Sequence, residues 1–377
     1  MKNWKLQLGI VVFFLPSFAS AQAPTPADAL ALEQQGKLAE AAQVWQAVTR
    51  HDPHDAAAFA SLGVVLSKEQ KYREAASAYE KAIALNPKLP GVLLNLGLAE
   101  FKQGHFQAAI DPLRSTLDAD PSNVQARMLL GLSCYGGKRY AEAVKYLKPI
   151  AESDAANVEL HRVLAQSCLF TKEYTCALDE FRQILQKDPD SAAAHILAGE
   201  ALDGLERTPE AIAEFQAAAK VSPREPNLHF GLGYLYWRSH QYDEAKREFE
   251  NELALDPNNA QALTYLGDIE MKRNNLDTAL SFLRKAVRAR NDIRVAYIDM
   301  GAILMQQKQY KDALTALRRA VALDPTQPDA HYRLGQLHRA MGNTAAAQAE
   351  FNKVHELHEK ADEGVASKMS VPPASSN

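Results

Sequence analysis

Seven prolines of this chain are spaced by multiples of 34 residues. They are Pro53, Pro87, Pro121, Pro189, Pro223, Pro257 and Pro325, and the two vacant places on the same spacing are Ala155 and Asn291. When proline is taken as position 32 of a unit, residues 22–361 divide into ten units without an insertion or a deletion. A fixed period of this length indicates a repeat protein, in which each unit needs its neighbours to complete its core.

Three further positions recur in the ten units. Position 20 is always alanine, position 8 is glycine or alanine, and position 24 is always large, as in Gly63, Ala75 and Tyr79 of the second unit. Small side chains allow two helices to approach closely, and a large side chain one turn further on fills the space where the helices diverge. A terminal pair such as Asp256-Pro257 ends the second helix, because proline disfavours helical geometry in the preceding residue. The pattern therefore predicts a pair of antiparallel helices in each unit.

These residues also resemble a known family. The segment Ala58-Phe59-Ala60-Ser61-Leu62-Gly63, followed by Ala75, Tyr79 and Pro87, is similar to the tetratricopeptide repeat. The resemblance covers residues 22–361 and implies an all-α, right-handed superhelical solenoid of about ten 34-residue helix-turn-helix repeats. It implies a concave face built by the first helix of each unit. It does not identify a pathway, because one fold serves many functions.

The two ends of the chain differ from the repeats. Lys2 and Lys5 precede an apolar stretch at residues 6–15, and Ala19-Ser20-Ala21 has the form of a cleavage site. We expect residues 1–21 to be a cleaved signal peptide that directs the protein to the periplasm or to the medium. The apolar stretch is too short to span a bilayer, so we do not expect an integral membrane protein. The Ser-, Pro- and Ala-rich segment 362–377 is expected to be disordered.

Charge and motifs argue against several classes of function. The formal net charge is −4, and basic residues are interleaved with acidic ones, so no nucleic-acid partner is expected. His355 and His358 are spaced by three residues rather than the four of a zinc-binding helix. Histidines at position 4 of the units are expected to pack in the core. No nucleotide-binding, nucleophile or paired-carboxylate motif stands out, so we expect a non-catalytic protein with no cofactor and no metal.

The family resemblance also implies where a partner binds. In tetratricopeptide repeats, ligands usually contact positions 2, 5, 9, 12 and 13, on the free face of the first helix. At these positions the candidate groove comprises Leu94, Leu98, Phe101, Met128, Leu132, Tyr135, Arg162, Phe170, Phe230, Tyr234 and Trp237. Polar residues between and after them are Glu200, Asp203, Asp268 and Lys272. Position 9 is never Asn, so the family's clamp for a C-terminal carboxylate is not expected.

An apolar, aromatic groove of this kind predicts a scaffold that binds a protein or peptide partner. Two alternatives remain open at this point. The groove could bind a glycan or a lipid-bearing ligand, or the protein could be an architectural subunit that stacks through its ends. A structural interpretation of the aromatic residues, in which they pack against neighbouring first helices, also remains open.

The three cysteines leave at least one thiol unpaired. Cys168 and Cys176 flank the turn within one unit, so a disulfide between them is compatible with an oxidising compartment. The alternative is that these thiols, like Cys134, are small buried groups at helix contacts.

Overall fold

The computed structural model describes residues 24–369, and within this range the chain forms twenty α-helices and no strand. The first helices of the units are α1 (Pro26–Gln34), α3 (Ala56–Lys68), α5 (Val92–Lys102), α7 (Val124–Gly136), α9 (Val158–Phe170), α11 (Ala192–Gly204), α13 (Leu228–Arg238), α15 (Ala260–Lys272), α17 (Arg294–Gln306) and α19 (Pro328–Ala340). The second helices are α2 (Leu38–His51), α4 (Tyr72–Leu85), α6 (Phe106–Ala119), α8 (Tyr140–Ala151), α10 (Tyr174–Lys187), α12 (Thr208–Val221), α14 (Tyr242–Leu255), α16 (Leu276–Ala289), α18 (Tyr310–Leu323) and α20 (Thr344–Met369). The predicted all-α repeat architecture is confirmed.

Local chemistry sets the helix boundaries between units. Asp55 caps α3 by accepting a hydrogen bond from the backbone N–H of Ala58, and Asn259 caps α15 in the same way. Such side chains satisfy backbone donors that have no partner inside the helix. At the other end of a unit, Asp256 has an extended backbone before Pro257 and stops α14.

The turn inside each unit has a feature that the sequence does not reveal. Position 15 has a positive φ in all ten units, although only three of these residues are glycine. They are Gly36, Gln70, Gly104, Lys138, Lys172, Glu206, His240, Asn274, Lys308 and Gly342. One left-handed residue ends the first helix and redirects the chain into the second helix.

The chain divides after Asp154 into two compact units. The first contains α1–α8 and the second contains α9–α20. The division coincides with Ala155, one of the two places where the proline spacing is vacant.

The close contact between paired helices differs in detail from the sequence-based expectation. A β-carbon added to Gly63 would lie 2.5 Å from the ring of Tyr79, and one added to Gly97 would lie 2.4 Å from Leu113. The space that glycine provides at position 8 is therefore filled chiefly by the large side chain at position 24 rather than by the alanine at position 20.

The predicted signal peptide, residues 1–21, lies outside the described residues. Helix α20 extends to Met369, which is beyond the predicted solenoid boundary at 361. The disorder predicted for residues 362–377 stays a prediction.

Candidate functional site

The candidate groove residues of the first compact unit are all half-buried. Leu94 and Leu98 lie on α5, and Met128 and Leu132 lie on α7. Two aromatic members of this group have a structural contact as well. The ring of Phe101 packs edge-on against Phe106 at 5.6 Å, and the ring of Tyr135 packs against Tyr140 at 6.0 Å. Because Phe106 and Tyr140 begin α6 and α8, these rings brace the turn between the two helices of a repeat.

Two candidates in the second compact unit lie on α9. Arg162 pairs with Glu159 and donates to Gln166, both on its own helix α9. Phe170, at the end of α9, is 63% exposed. In the same repeat the sulfur atoms of Cys168 and Cys176 are joined in a disulfide that links α9 to α10. Cys134 is a buried free cysteine.

The other three candidates come together on α13. The rings of Tyr234 and Trp237 stack at 6.2 Å, and Phe230 lies one turn before Tyr234 on the same helix. Tyr265 of α15 completes the group, because its ring centroid lies 5.0 Å from Trp237, 5.8 Å from Tyr234 and 6.0 Å from Phe230. We call these four residues the aromatic surface. All four are half-buried, so the surface is both packed and partly open to a ligand.

Two cavities open along the aromatic surface. The first, of about 330 Å³, is lined by Phe230 and Tyr234 together with Glu200 and Asp203 of α11. The second, of about 430 Å³, is lined by Trp237, Tyr265 and Asp268, by Val295 of the following repeat and by Asp299. Gln261 lines both cavities, so they adjoin along the first helices of successive repeats.

Several polar groups in the cavities already have partners. Trp237 Nε1 donates to Asp268 Oδ2 at 2.6 Å, and Lys272 Nζ lies 3.2 Å from the other oxygen of Asp268. Arg238 donates to both Asp203 and Thr208, and its guanidinium lies 5.8 Å from the ring centroid of Tyr234. These bonds fix the orientation of the indole ring and of the guanidinium.

Two carboxyl groups of the cavities have a raised pKa. Burial raises the pKa of Asp299 to about 7, and the nearby charge of Asp268 adds to the rise. Glu200 is exposed at the mouth of the first cavity, where its carboxyl is partly desolvated. This desolvation raises the pKa of Glu200, and the charge of Asp203 raises it further.

Histidines at position 4 form a recurrent contact that is more polar than the core packing expected from the sequence. In four repeats the Nδ1 atom of this histidine lies close to a glutamate carboxylate at position 23 of the second helix. The pairs are His161–Glu180 at 2.5 Å, His195–Glu214 at 2.6 Å, His229–Glu248 at 2.7 Å and His331–Glu350 at 2.6 Å. We call these pairs the His–Glu clamps; each ties the two helices of one repeat together.

The preceding turn completes three of the four clamps. Nε2 of His195 and of His229 lies 3.0 and 2.8 Å from the carbonyl oxygen of the proline six residues earlier. In the first clamp the corresponding residue is Ala155 rather than proline. There, within the described part of the chain, the buried Nε2 of His161 has no hydrogen-bond partner.

The sequence did not identify two residues of the site, Tyr265 and Asp299. Both occupy position 6, which directs them toward a neighbouring first helix rather than along the free face. The signal that would have found them is the presence of a tyrosine and an aspartate at the same position of two successive repeats.

Comparisons with known proteins agree with this geometry. The tetratricopeptide repeat model matches residues 94–158, 164–226 and 230–292, a second repeat model matches 66–104 and 301–342, and a third matches 328–359. The chain belongs to the tetratricopeptide repeat family. Family membership and the helical fold support a protein-interaction scaffold. None of the described helices has the length and apolarity needed to cross a membrane.

Several solved structures are similar to this tetratricopeptide repeat protein, and no curated protein sequence matches it. YrrB, described as a protein with an unusual peptide-binding site, is 22% identical over 50% of this chain and 97% of its own, with a TM-score of 0.42. PilF of Pseudomonas aeruginosa is 16% identical over 54% of this chain and 92% of its own, with a TM-score of 0.49. Yeast Tom70 is 14% identical over 88% of this chain and 91% of its own, with a TM-score of 0.40.

Proposed function

We propose that this protein is an exported, non-catalytic scaffold that holds an extended segment of a partner protein on the aromatic surface of α13 and α15. The observation that carries the proposal is the cluster of four half-buried rings beside two open cavities. Partly open aromatic groups are typical anchors of protein interfaces, because they bury a large area with few rotatable bonds.

The polar contacts of the site favour a peptide over a glycan. A glycan site needs free hydrogen-bond donors as well as acceptors beside an aromatic ring. Here the indole N–H of Trp237 is bonded to Asp268, and the guanidinium of Arg238 is bonded to Asp203 and Thr208. The ring surfaces that line the two cavities remain open, which suits the side chains of a peptide.

Export is part of the proposal. The basic, apolar and small-residue segments of residues 1–21 support it, and so does the disulfide between Cys168 and Cys176. Disulfides persist in the periplasm and outside the cell and are rare in the reducing cytoplasm.

The peptide-binding role is tested by comparing Trp237→Ala with Tyr236→Ala. Both rings are half-buried on α13 and each makes one side-chain hydrogen bond, to Asp268 and to Gln216 respectively. Each substitution should lower stability by about 2 kcal/mol. Only loss of Trp237 should weaken binding, by about tenfold or more.

The probe is a set of dodecapeptides selected from a random phage-displayed library on the wild-type protein. Binding of these peptides to the folded fraction of each variant is measured by fluorescence anisotropy, with circular dichroism to establish that fraction. Equal affinity of both variants, or failure of the wild-type protein to select any peptide, would refute a groove centred on Trp237.

A further inference from the structure

Each cavity on the aromatic surface contains one carboxylate that the chain neutralises incompletely; the charges of Lys272 and Arg333 lower the pKa of Asp299, but by less than burial and Asp268 raise it. Among the described residues, neither Glu200 in the first cavity nor Asp299 in the second has a hydrogen bond or an ion pair. The other charged groups around the cavities are matched. Asp203 pairs with Arg238, Asp268 pairs with Lys272, and Arg290 pairs with Asp292 at 3.1 Å.

An unmatched carboxylate in a partly dehydrated cavity is unfavourable until a cation arrives. Asp299 lies beside Asp268, which carries the same charge, and Glu200 lies beside Asp203. A positive group that enters either cavity would replace lost hydration and relieve this repulsion. A neutral hydrogen-bond donor would replace part of the hydration but would not relieve the repulsion, and an anionic group would do neither.

The aromatic rings of the cavities suit the same type of ligand. Tyr234 and Phe230 line the first cavity, and Trp237 and Tyr265 line the second. Ring faces attract ammonium and guanidinium groups, most strongly when these groups are desolvated. The chain itself provides an example, because Arg238 places its guanidinium over the ring of Tyr234.

We propose that the two cavities receive basic side chains, lysine or arginine, of an extended partner segment, with Glu200 and Asp299 as their respective counter-ions. This inference rests on the proposed peptide-binding function and adds the chemical class of the partner. The aliphatic stem of each side chain would lie along the rings, and Val295 offers a further exposed apolar contact in the second cavity.

The site should respond to pH through Asp299. The charged groups that face it are Asp268 and Lys272 from α15 and Asp329 and Arg333 from α19. Because the pKa of Asp299 is about 7, its carboxyl is largely protonated at pH 6 and largely ionised at pH 8. A cationic peptide should bind the ionised form, so its affinity should rise between these two pH values.

The experiment uses the same random dodecapeptide selection on the full mature protein. Enriched sequences should contain more lysine and arginine than the starting library. Affinity of the most enriched peptide is then measured for Glu200→Gln, Asp299→Asn and, as a control, Asp312→Asn. Asp312 is an exposed residue in the first turn of α18, and its substitution removes one negative charge away from the aromatic surface.

The expected result is a loss of about fivefold to tenfold for Glu200→Gln and for Asp299→Asn, with little change for Asp312→Asn. Asp299→Asn should also abolish the rise in affinity between pH 6 and pH 8. If enriched peptides lack basic residues but still depend on Trp237, the cation inference is wrong and the peptide-binding function stands. If no sequence is enriched, both fail. Equal losses in all three variants would indicate attraction by net charge alone and would also overturn the inference.

Discussion

At the residue scale, the absence of a side chain at Gly199 makes room for Phe215. A β-carbon there would lie 2.6 Å from the phenyl ring and 3.3 Å from the carbonyl oxygen of Ala211. Ala211 is fully buried on the other side of this contact. The sequence indicated that positions 8, 20 and 24 meet, because their sizes recur in every repeat. It did not indicate which two are in direct contact, since that depends on the rotamer of the large residue.

The contact gives a stability prediction. Ala211→Leu adds three carbon atoms at a site without free volume, so it should destabilise the protein by about 2–3 kcal/mol. Ala213→Leu adds the same atoms to an exposed position on the same helix and should change stability little. Thermal denaturation followed by circular dichroism compares the two variants. Similar melting temperatures would show that the helices separate freely at this point.

At the scale of helices, the 34-residue period and the recurrent sizes at positions 8, 20 and 24 were sufficient to predict ten helix pairs, and in seven of them a proline at position 32 follows the end of the second helix. The left-handed residue at position 15 was not predicted, since seven of its ten occupants, such as Lys172 and Glu206, are not glycine. The His–Glu clamps were missed for a similar reason. His195 and Glu214 are 19 residues apart, and only the antiparallel pairing of α11 with α12 brings them together.

The clamps lead to a prediction about how one repeat is held together. Glu214→Gln keeps the shape of the side chain but removes the charge that faces His195 Nδ1 at 2.6 Å. The substitution should lower the free energy of unfolding by about 1–2 kcal/mol, because the hydrogen bond involves a charged acceptor and is largely shielded from water. Glu210→Gln on the same helix breaks an exposed pair with Arg207 and should have little effect.

Hydrogen exchange of the backbone amides in α11 and α12 provides the local measurement, together with the melting temperature. Faster exchange in both helices for Glu214→Gln, and not for Glu210→Gln, is expected. Equal exchange in the two variants would mean that the clamp contributes no more than a surface ion pair.

At the scale of the whole molecule, sequence and structure make different contributions to the candidate site. Position within the repeat identified Phe230, Tyr234 and Trp237, because residues at these spacings share one face of a helix. Of the other candidates, Phe101 and Tyr135 contribute to packing within their own repeats, and the repeat pattern alone does not separate the two roles. The sequence also did not reveal which carboxylates of the cavities lack a counter-ion. This depends on which of several interleaved charges meet across neighbouring repeats.

At this scale we also predict that the exported protein contains the disulfide between Cys168 and Cys176. When residues 1–377 are expressed in a bacterium with an oxidising periplasm, the mature protein should begin at Gln22 and contain the bond between Cys168 and Cys176. A version without residues 2–21 should remain in the cytoplasm with three free thiols. Burial raises the pKa of Cys134 to about 11, so this thiol should react with alkylating reagents only after denaturation.

Intact-mass spectrometry after alkylation in denaturant distinguishes these species. The exported protein should gain one alkyl group, at Cys134, and the cytoplasmic version should gain three. The Cys176→Ser variant should be exported normally yet melt at a lower temperature. Its unfolded chain regains the conformational freedom that the cross-link removes, which should lower the free energy of unfolding by about 2–3 kcal/mol for a loop of this size. Recovery of the full-length product from the cytoplasm with Met1 intact would contradict export. Three alkylated cysteines in a correctly processed periplasmic protein would contradict the disulfide alone, because cleavage of the signal and oxidation of the thiols are separate events.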